Sequence, residues 1–257
     1  MGAGAHPLYR HGDSAVHRAP AEVKVVCLLV FVLAVVATPR EMFWPFAIYA
    51  LIVVCLWRLA NIPLRWVLPR MLIEAPFLVL ALLLPLAEGG DRVQVGSLNL
   101  SVAGLWAAWG IVVKGTLGVA AALTLAASTS SAELPAALSR LGVPAVVTSV
   151  LVLMIRYIDL LAAEAGRMRM ARISRGDSPR ALHQARAIAT GIGALFLRSY
   201  ERGERVYHSM LSRGFDGAVP DLAVIGAPPR ALARQWVATL TPAVAAVTVS
   251  ISAWLIR

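Results

Sequence analysis

Two arginines share an unusual setting. Arg175 lies in Ser174-Arg175-Gly176 and Arg213 in Ser212-Arg213-Gly214, 38 residues later, and Phe215 follows the second motif. Each reads as the carboxyl end of a helix, because glycine enters the left-handed conformation of the closing residue without steric cost. An arginine there sits at the negative end of the helix dipole. Its planar fork can donate paired hydrogen bonds to a carboxylate or to carbonyls. The small serine before it lets the helix tip approach another surface closely. A single arginine before glycine is ordinarily a solvated cap. Two copies in one arginine-rich region, each closing a helix with an apolar face, make docking to another protein an equal reading.

Other chemistry-bearing residues are sparse. Lys114 lies inside an apolar run, where a charge is costly and calls for a buried partner or a water-lined surface. It is about ten residues, roughly 15 Å along a helix, from Leu125, so snorkelling does not fully account for it. Glu74 is the candidate partner. The pair reads as a structural charge inside the membrane, with a substrate path as the alternative. His6, His11 and His17 lie in a polar tail at spacings that match no defined metal site, and the tail reads as disordered. Cys27 and Cys55 fall in apolar blocks and support neither a disulfide framework nor a metal cluster. The chain has no Gly-x-x-x-x-Gly-Lys-Ser/Thr phosphate loop, no His-Glu-x-x-His and no Gly-x-Ser-x-Gly. Asp159, Glu164, Glu201 and Glu204 are flanked by arginines and read as ion pairs. The expectation is a chain with no catalytic or metal site and no bound cofactor.

The elements that position these residues are hydrophobic. The chain of 257 residues is 59% apolar with a net charge of +10, and its mean hydropathy is +0.73. Such a balance could suggest nucleic acid, but soluble nucleic-acid binders do not carry long runs of Leu, Val and Ala. The arginines are better placed against an anionic membrane surface or an acidic partner protein. A bilayer core of about 30 Å needs roughly 20 apolar residues, and five segments qualify: residues 23–38, 42–59, 67–87, 103–127 and 235–256. Two shorter runs, 143–155 and 187–197, abut arginine clusters and read as helices packed against the membrane. The first run leads at once into the second, so it reads as a retained span rather than a cleaved signal peptide.

Basic residues set the orientation. Arg10, Arg18 and Lys24 precede the first span, and Arg58, Arg65 and Arg70 follow the second. After the third span, Glu88 and Asp91 face Arg92 alone, whereas residues 131–234 carry fourteen Arg and no Lys against eight acids. Five spans with a cytoplasmic amino terminus put all three basic regions on one side and the carboxyl terminus outside. The expected fold is an all-α membrane protein. A cytoplasmic tail (1–22) leads to four transmembrane helices (23–127), then to a cytoplasmic coupling-helix domain (128–234) inserted before the fifth (235–257).

From Thr129 to Gly217 the sequence resembles a known family, and the likeness extends over most of the chain. Its carriers are Glu133-Leu134-Pro135, Leu141-Gly142-Val143-Pro144, Arg156-Tyr157-Ile158 and the paired Ser-Arg-Gly motifs. They resemble the transmembrane T component of energy-coupling-factor (ECF) transporters, in particular the CbiQ-like branch. The resemblance implies that Ser174, Arg175 and Gly176 dock on one ATPase subunit and Ser212, Arg213 and Gly214 on a second. In that family the first residue of each motif is usually Ala; here both are Ser, which is also small. It further implies a separate substrate-binding membrane subunit, ATP held by the partner ATPases rather than by this chain, a cell inner membrane location, and cobalt or nickel as the solute. A permease of a conventional ABC importer is the runner-up, although it would be expected to carry its own substrate path and usually a single coupling loop. An intramembrane enzyme is the third reading, with only Lys114 and Glu74 as near candidates.

Overall fold

The computed structural model describes residues 8–87, 92–95, 98–176, 185–215, 217 and 233–256. His6, Glu88 and Asp91 lie outside them. In chain order the elements are α1 (Ala15–Arg18), α2 (Ala21–Ala37), α3 (Trp44–Leu59), α4 (Leu64–Met71), a 3₁₀ turn (Leu72–Glu74), α5 (Ala75–Ala87), β1 (Arg92–Val95), β2 (Leu98–Ser101), α6 (Val102–Ser128), α7 (Leu134–Arg140), α8 (Ala145–Ser174), α9 (Ala185–Leu211) and α10 (Ala233–Ile256). The protein is an all-α membrane protein with one addition. Between the third and fourth expected spans, β1 and β2 form a short antiparallel hairpin in which Arg92 pairs with Ser101 and Val95 with Leu98.

The chain divides into two compact units, Ala5–Ala137 with Pro228–Arg257, and Leu138–Ala227 with Met1–Gly4. In the first, α2 packs on α6 and α10, α3 on α6 and α10, and α5 on α6. Leu64–Leu86, α6 and α10 are long and apolar enough to cross a membrane, and α3 is a shorter apolar helix. α2, at 17 residues, reaches about 25 Å. The third of the expected spans is continuous but tightens locally. Pro69 and Pro76 each lack the N–H that a helix interior needs, and the turn at Leu72–Glu74 tightens to 3₁₀ between α4 and α5.

The core of this unit is small and aromatic: Phe31, Phe46 and Tyr49 meet edge to face, and Tyr49 is fully buried. Buried polar groups in a membrane helix must find partners inside the protein. The Thr38 hydroxyl donates to the Ala34 carbonyl at 2.8 Å and lies 2.8 Å from the Tyr49 hydroxyl and 3.3 Å from Ser250 Oγ. Trp57 Nε1 donates to Thr124 Oγ1 at 2.8 Å, and Trp254 Nε1 to the Ala37 carbonyl at 2.9 Å. These bonds tie α2, α3, α6 and α10 together at both ends.

From Leu8 onward the amino-terminal tail, expected to be disordered, is folded onto this unit. The Arg10 N–H donates to the Ala127 carbonyl at 3.0 Å, and Ser14 caps α1 by accepting from the His17 N–H at 3.3 Å. Its polar composition concealed the cause, which is a set of free carbonyls at the end of α6 that the tail can cap.

In the second unit α8 and α9 pack together. The apolar run at 143–155 and the basic stretch that ends at the first Ser-Arg-Gly motif form one helix, α8, of 30 residues. It runs straight through Arg156 and Asp159. By length and composition alone α8 could also cross a membrane.

Candidate functional site

The two Ser-Arg-Gly segments have the same local geometry. At the end of α8 the Arg175 N–H donates to the Arg172 carbonyl and the Gly176 N–H to the Ile173 carbonyl, both at 3.0 Å, and Gly176 has φ +86°. At the end of α9 the Arg213 N–H donates to the Met210 carbonyl and the Gly214 N–H to the Leu211 carbonyl, both at 3.0 Å, and Gly214 has φ +82°. There the Phe215 N–H adds a bond to the Met210 carbonyl at 3.0 Å. This completes the Schellman pattern that satisfies the last helical carbonyls. The serine hydroxyls turn back in the same way, Ser174 Oγ onto the Ala171 carbonyl and Ser212 Oγ onto the Ser209 carbonyl, each at 3.0 Å. With both hydroxyls engaged on their own helix, the serines add little to the outer surface, and the arginine is left as the polar feature of each tip.

All six residues are exposed. Neither the Arg175 nor the Arg213 guanidinium has a hydrogen bond or ion pair among the described residues. The acid Glu164 is taken instead by Arg167 at 2.6 Å and by Arg198 at 2.9 Å, the second joining α8 to α9. A third helix end shows that capping alone does not dictate this arrangement. Gly142 also has φ +87°, and Val143 bonds back to Leu138 at 3.1 Å. In that segment, Ser139-Arg140-Leu141-Gly142, the arginine stands one residue further from the glycine. The helices behind the two tips carry exposed apolar side chains: Val146, Val150 and Met154 on α8, and Ile192, Phe196 and Tyr207 on α9.

The intramembrane residues are placed differently from the sequence expectation. Lys114 and Glu74 are not partners. Lys114 Nζ donates to the Val36 carbonyl at 2.7 Å and the Thr38 carbonyl at 2.8 Å. Glu74 is buried at the 3₁₀ turn, and its carboxylate accepts from Thr116 Oγ1 at 3.1–3.2 Å. Lys24, whose role sequence reasoning missed, mirrors Lys114. Its Nζ donates to the Ser128 carbonyl at 2.8 Å and the His17 carbonyl at 3.1 Å. The only two lysines of the chain thus cap each other's helices, Lys24 on α2 binding the end of α6 and Lys114 on α6 binding the end of α2. The spacing fits this arrangement. Lys24 precedes Thr38, and Lys114 precedes Ser128, by fourteen residues each. That is roughly 21 Å of helix, as two antiparallel neighbours require.

Among the described residues, His11 and His17 do not gather. His11 packs its ring on Tyr9, while His17 Nδ1 lies 2.7 Å from Ser14 Oγ and its Nε2 is buried without a partner among the described residues. Burial, and then the Lys24 ammonium, hold the His17 imidazole below its ordinary pKa. Among the described residues no three His, Cys, Asp or Glu side chains come together as a metal site.

Residues 12–222 match the CbiQ family, described as cobalt transport protein. The chain belongs to the CbiQ family. It is similar to two uncharacterised proteins of Methanocaldococcus jannaschii. With MJ1571 it is 27% identical over 208 residues, covering 77% of this chain and 70% of that protein. With MJ1089 it is 32% identical over 111 residues, covering 43% of this chain and 41% of that protein. The CbiQ match spans all of α2 to α9 and includes both Ser-Arg-Gly ends. With its apolar helices, the chain is a multi-pass membrane component of a transport system.

Proposed function

We propose that the protein is the transmembrane coupling subunit of an ECF-type importer, taking up cobalt or nickel with two ATPase subunits and a separate substrate-binding membrane subunit. The observation that carries this reading is the matched geometry of two helix ends with exposed, unengaged arginines. Each arginine stands at the negative end of a helix dipole, and each guanidinium can offer a paired hydrogen bond to a carboxylate on a partner. Two equivalent tips suit two copies of one ATPase. When the ATPases close on ATP, tips fixed to them move, and the long helices α8 and α9 carry that displacement toward the substrate-binding subunit. ATP is bound by the partners, and this chain performs no chemistry of its own.

In this reading α2, α3, the α4–α5 segment, α6 and α10 span the inner membrane. The amino terminus and the α8–α9 unit are cytoplasmic, and the carboxyl terminus is external, following the arginine distribution. The test is charge reversal at one tip at a time. Arg175→Glu or Arg213→Glu is expected to weaken ATPase capture by about thirtyfold or more, the scale of a truncated charge pair at an interface, while the chain still inserts. Wild-type capture and wild-type cobalt uptake in both variants would refute it.

A further inference from the structure

A cavity of about 250 Å³ lies in the membrane unit where α2 and α10 begin and α3 and α6 end. Its walls are apolar, with Leu28, Phe31, Val53, Leu56 and Leu125 among them, and α1 contributes Ala15 and Ala19. An enclosed apolar space of about 150 Å³ can stay dry and accept an apolar guest, and apolar walls left without partners lose packing contacts. In a bilayer the apolar filler at hand is an acyl chain.

The rim is basic. Lys24 lines the cavity and uses two of its three N–H donors on the Ser128 and His17 carbonyls. Arg18 adjoins the lining residue Ala19, Arg58 adjoins Leu59, and Arg234 stands one turn before Ala238. These three arginines are exposed. The acids at this end are Asp13, Glu22 and Glu133, of which Asp13 acts on the neighbouring His17 and Glu133 on the Lys24 charge. Cations outnumber them. Basic pockets between transmembrane helices are the setting in which anionic lipid headgroups bind.

We propose that this cavity is a binding site for an anionic glycerophospholipid, with an acyl chain against Phe31 and Leu125 and the phosphate held by the third Lys24 donor with Arg18 and Arg58. A lipid seated there would join α1, α2, α3, α6 and α10 at one end of the unit. The inference needs only that the chain is embedded in a membrane and is independent of any ATPase docking.

The test uses the full chain carrying Cys55→Ser, so that Cys27, which lines the cavity, is its only thiol. Purified in detergent, the protein is offered phosphatidylglycerol, phosphatidylcholine or inorganic phosphate. Retained adducts are read by native mass spectrometry, and Cys27 alkylation is timed. Phosphatidylglycerol is expected to be retained more strongly than phosphatidylcholine and to slow alkylation, and phosphate is expected to do neither. Ala121→Phe, which fills the cavity, should abolish lipid retention. Arg18→Gln and Arg58→Gln leave the Lys24 bonds untouched and should each lower phosphatidylglycerol retention about fivefold. Equal retention of the two lipids, retention that survives Ala121→Phe, or protection of Cys27 by phosphate alone would each overturn the proposal.

Discussion

In the membrane unit, a Cβ added at Gly104 would meet the Leu84 carbonyl oxygen and Pro85 Cα at 2.8 Å, and one at Gly115 would collide with the Glu74 carboxylate. In the unit of α8 and α9, a Cβ at Gly166, Gly191, Gly193 or Gly203 would meet nothing within 4 Å. The same contrast runs through the charges. Lys24, Lys114 and Glu74 are each bonded inside the membrane unit, whereas Arg175 and Arg213 stand exposed at their helix tips. In the first unit these two close approaches and three intramembrane charges are used internally. In the second, small residues, apolar side chains and two arginines stay exposed, which suits the proposed coupling role.

The lysines give the strongest means of breaking this comparison short of the docking itself. Replacing Lys24 or Lys114 by Met removes charge-assisted hydrogen bonds to helix-end carbonyls, each replacement costing about 1.5–3 kcal/mol. The two capping points lie roughly 21 Å apart along the helices, so the double variant is expected to lose the sum. Thermal unfolding in detergent measures this. A loss confined to one lysine would show that the capping is not reciprocal.

The glycines sharpen it. Gly115→Ala must displace the Glu74 carboxylate or shift α6, at about 1–3 kcal/mol. Gly193→Ala is expected to be neutral, or to stabilise by up to about 1 kcal/mol through helix propensity. Unfolding of the two single variants compares them directly, and equal destabilisation would mean that α9 is packed against something within the isolated chain.

The smallest expected effect is the pH response of the amino-terminal contact. The His17 pKa is lowered in the folded chain, so the unfolded chain binds the proton more readily. The contribution to stability is fully present above the ordinary value of 6.5 and is lost as pH falls through the folded value. His17→Gln should flatten that part of the stability profile. An unchanged slope below pH 6.5 would place the titrating group elsewhere.

What could be read from the sequence was local. Gly176 and Gly214 close their helices through bonds that reach only three to five residues back, so the motif predicts its own geometry. The apolar runs also coincide with α2, α3, α6 and α10, because span length follows from composition. Long-range pairing was not legible. Nothing near Lys114 names Val36 and Thr38, 78 and 76 residues away, and Glu74 was paired with it on charge alone. That α8 runs on to Ser174 was legible, because Arg156 and Asp159, three apart, fit on one helix face and Gly176 supplies the stop. The tail from Leu8 was misread because its order depends on α6 carbonyls more than a hundred residues away.

The central claim is that the two arginine-bearing tips hold two separate ATPase copies. Placing a photo-crosslinking residue at Arg175, at Arg213, or at both in the assembled complex tests it most directly. The account predicts one ATPase subunit bound covalently in each single variant and two in the double variant. Crosslinking to lipid only, or a single ATPase subunit captured by the double variant at full yield, would contradict it.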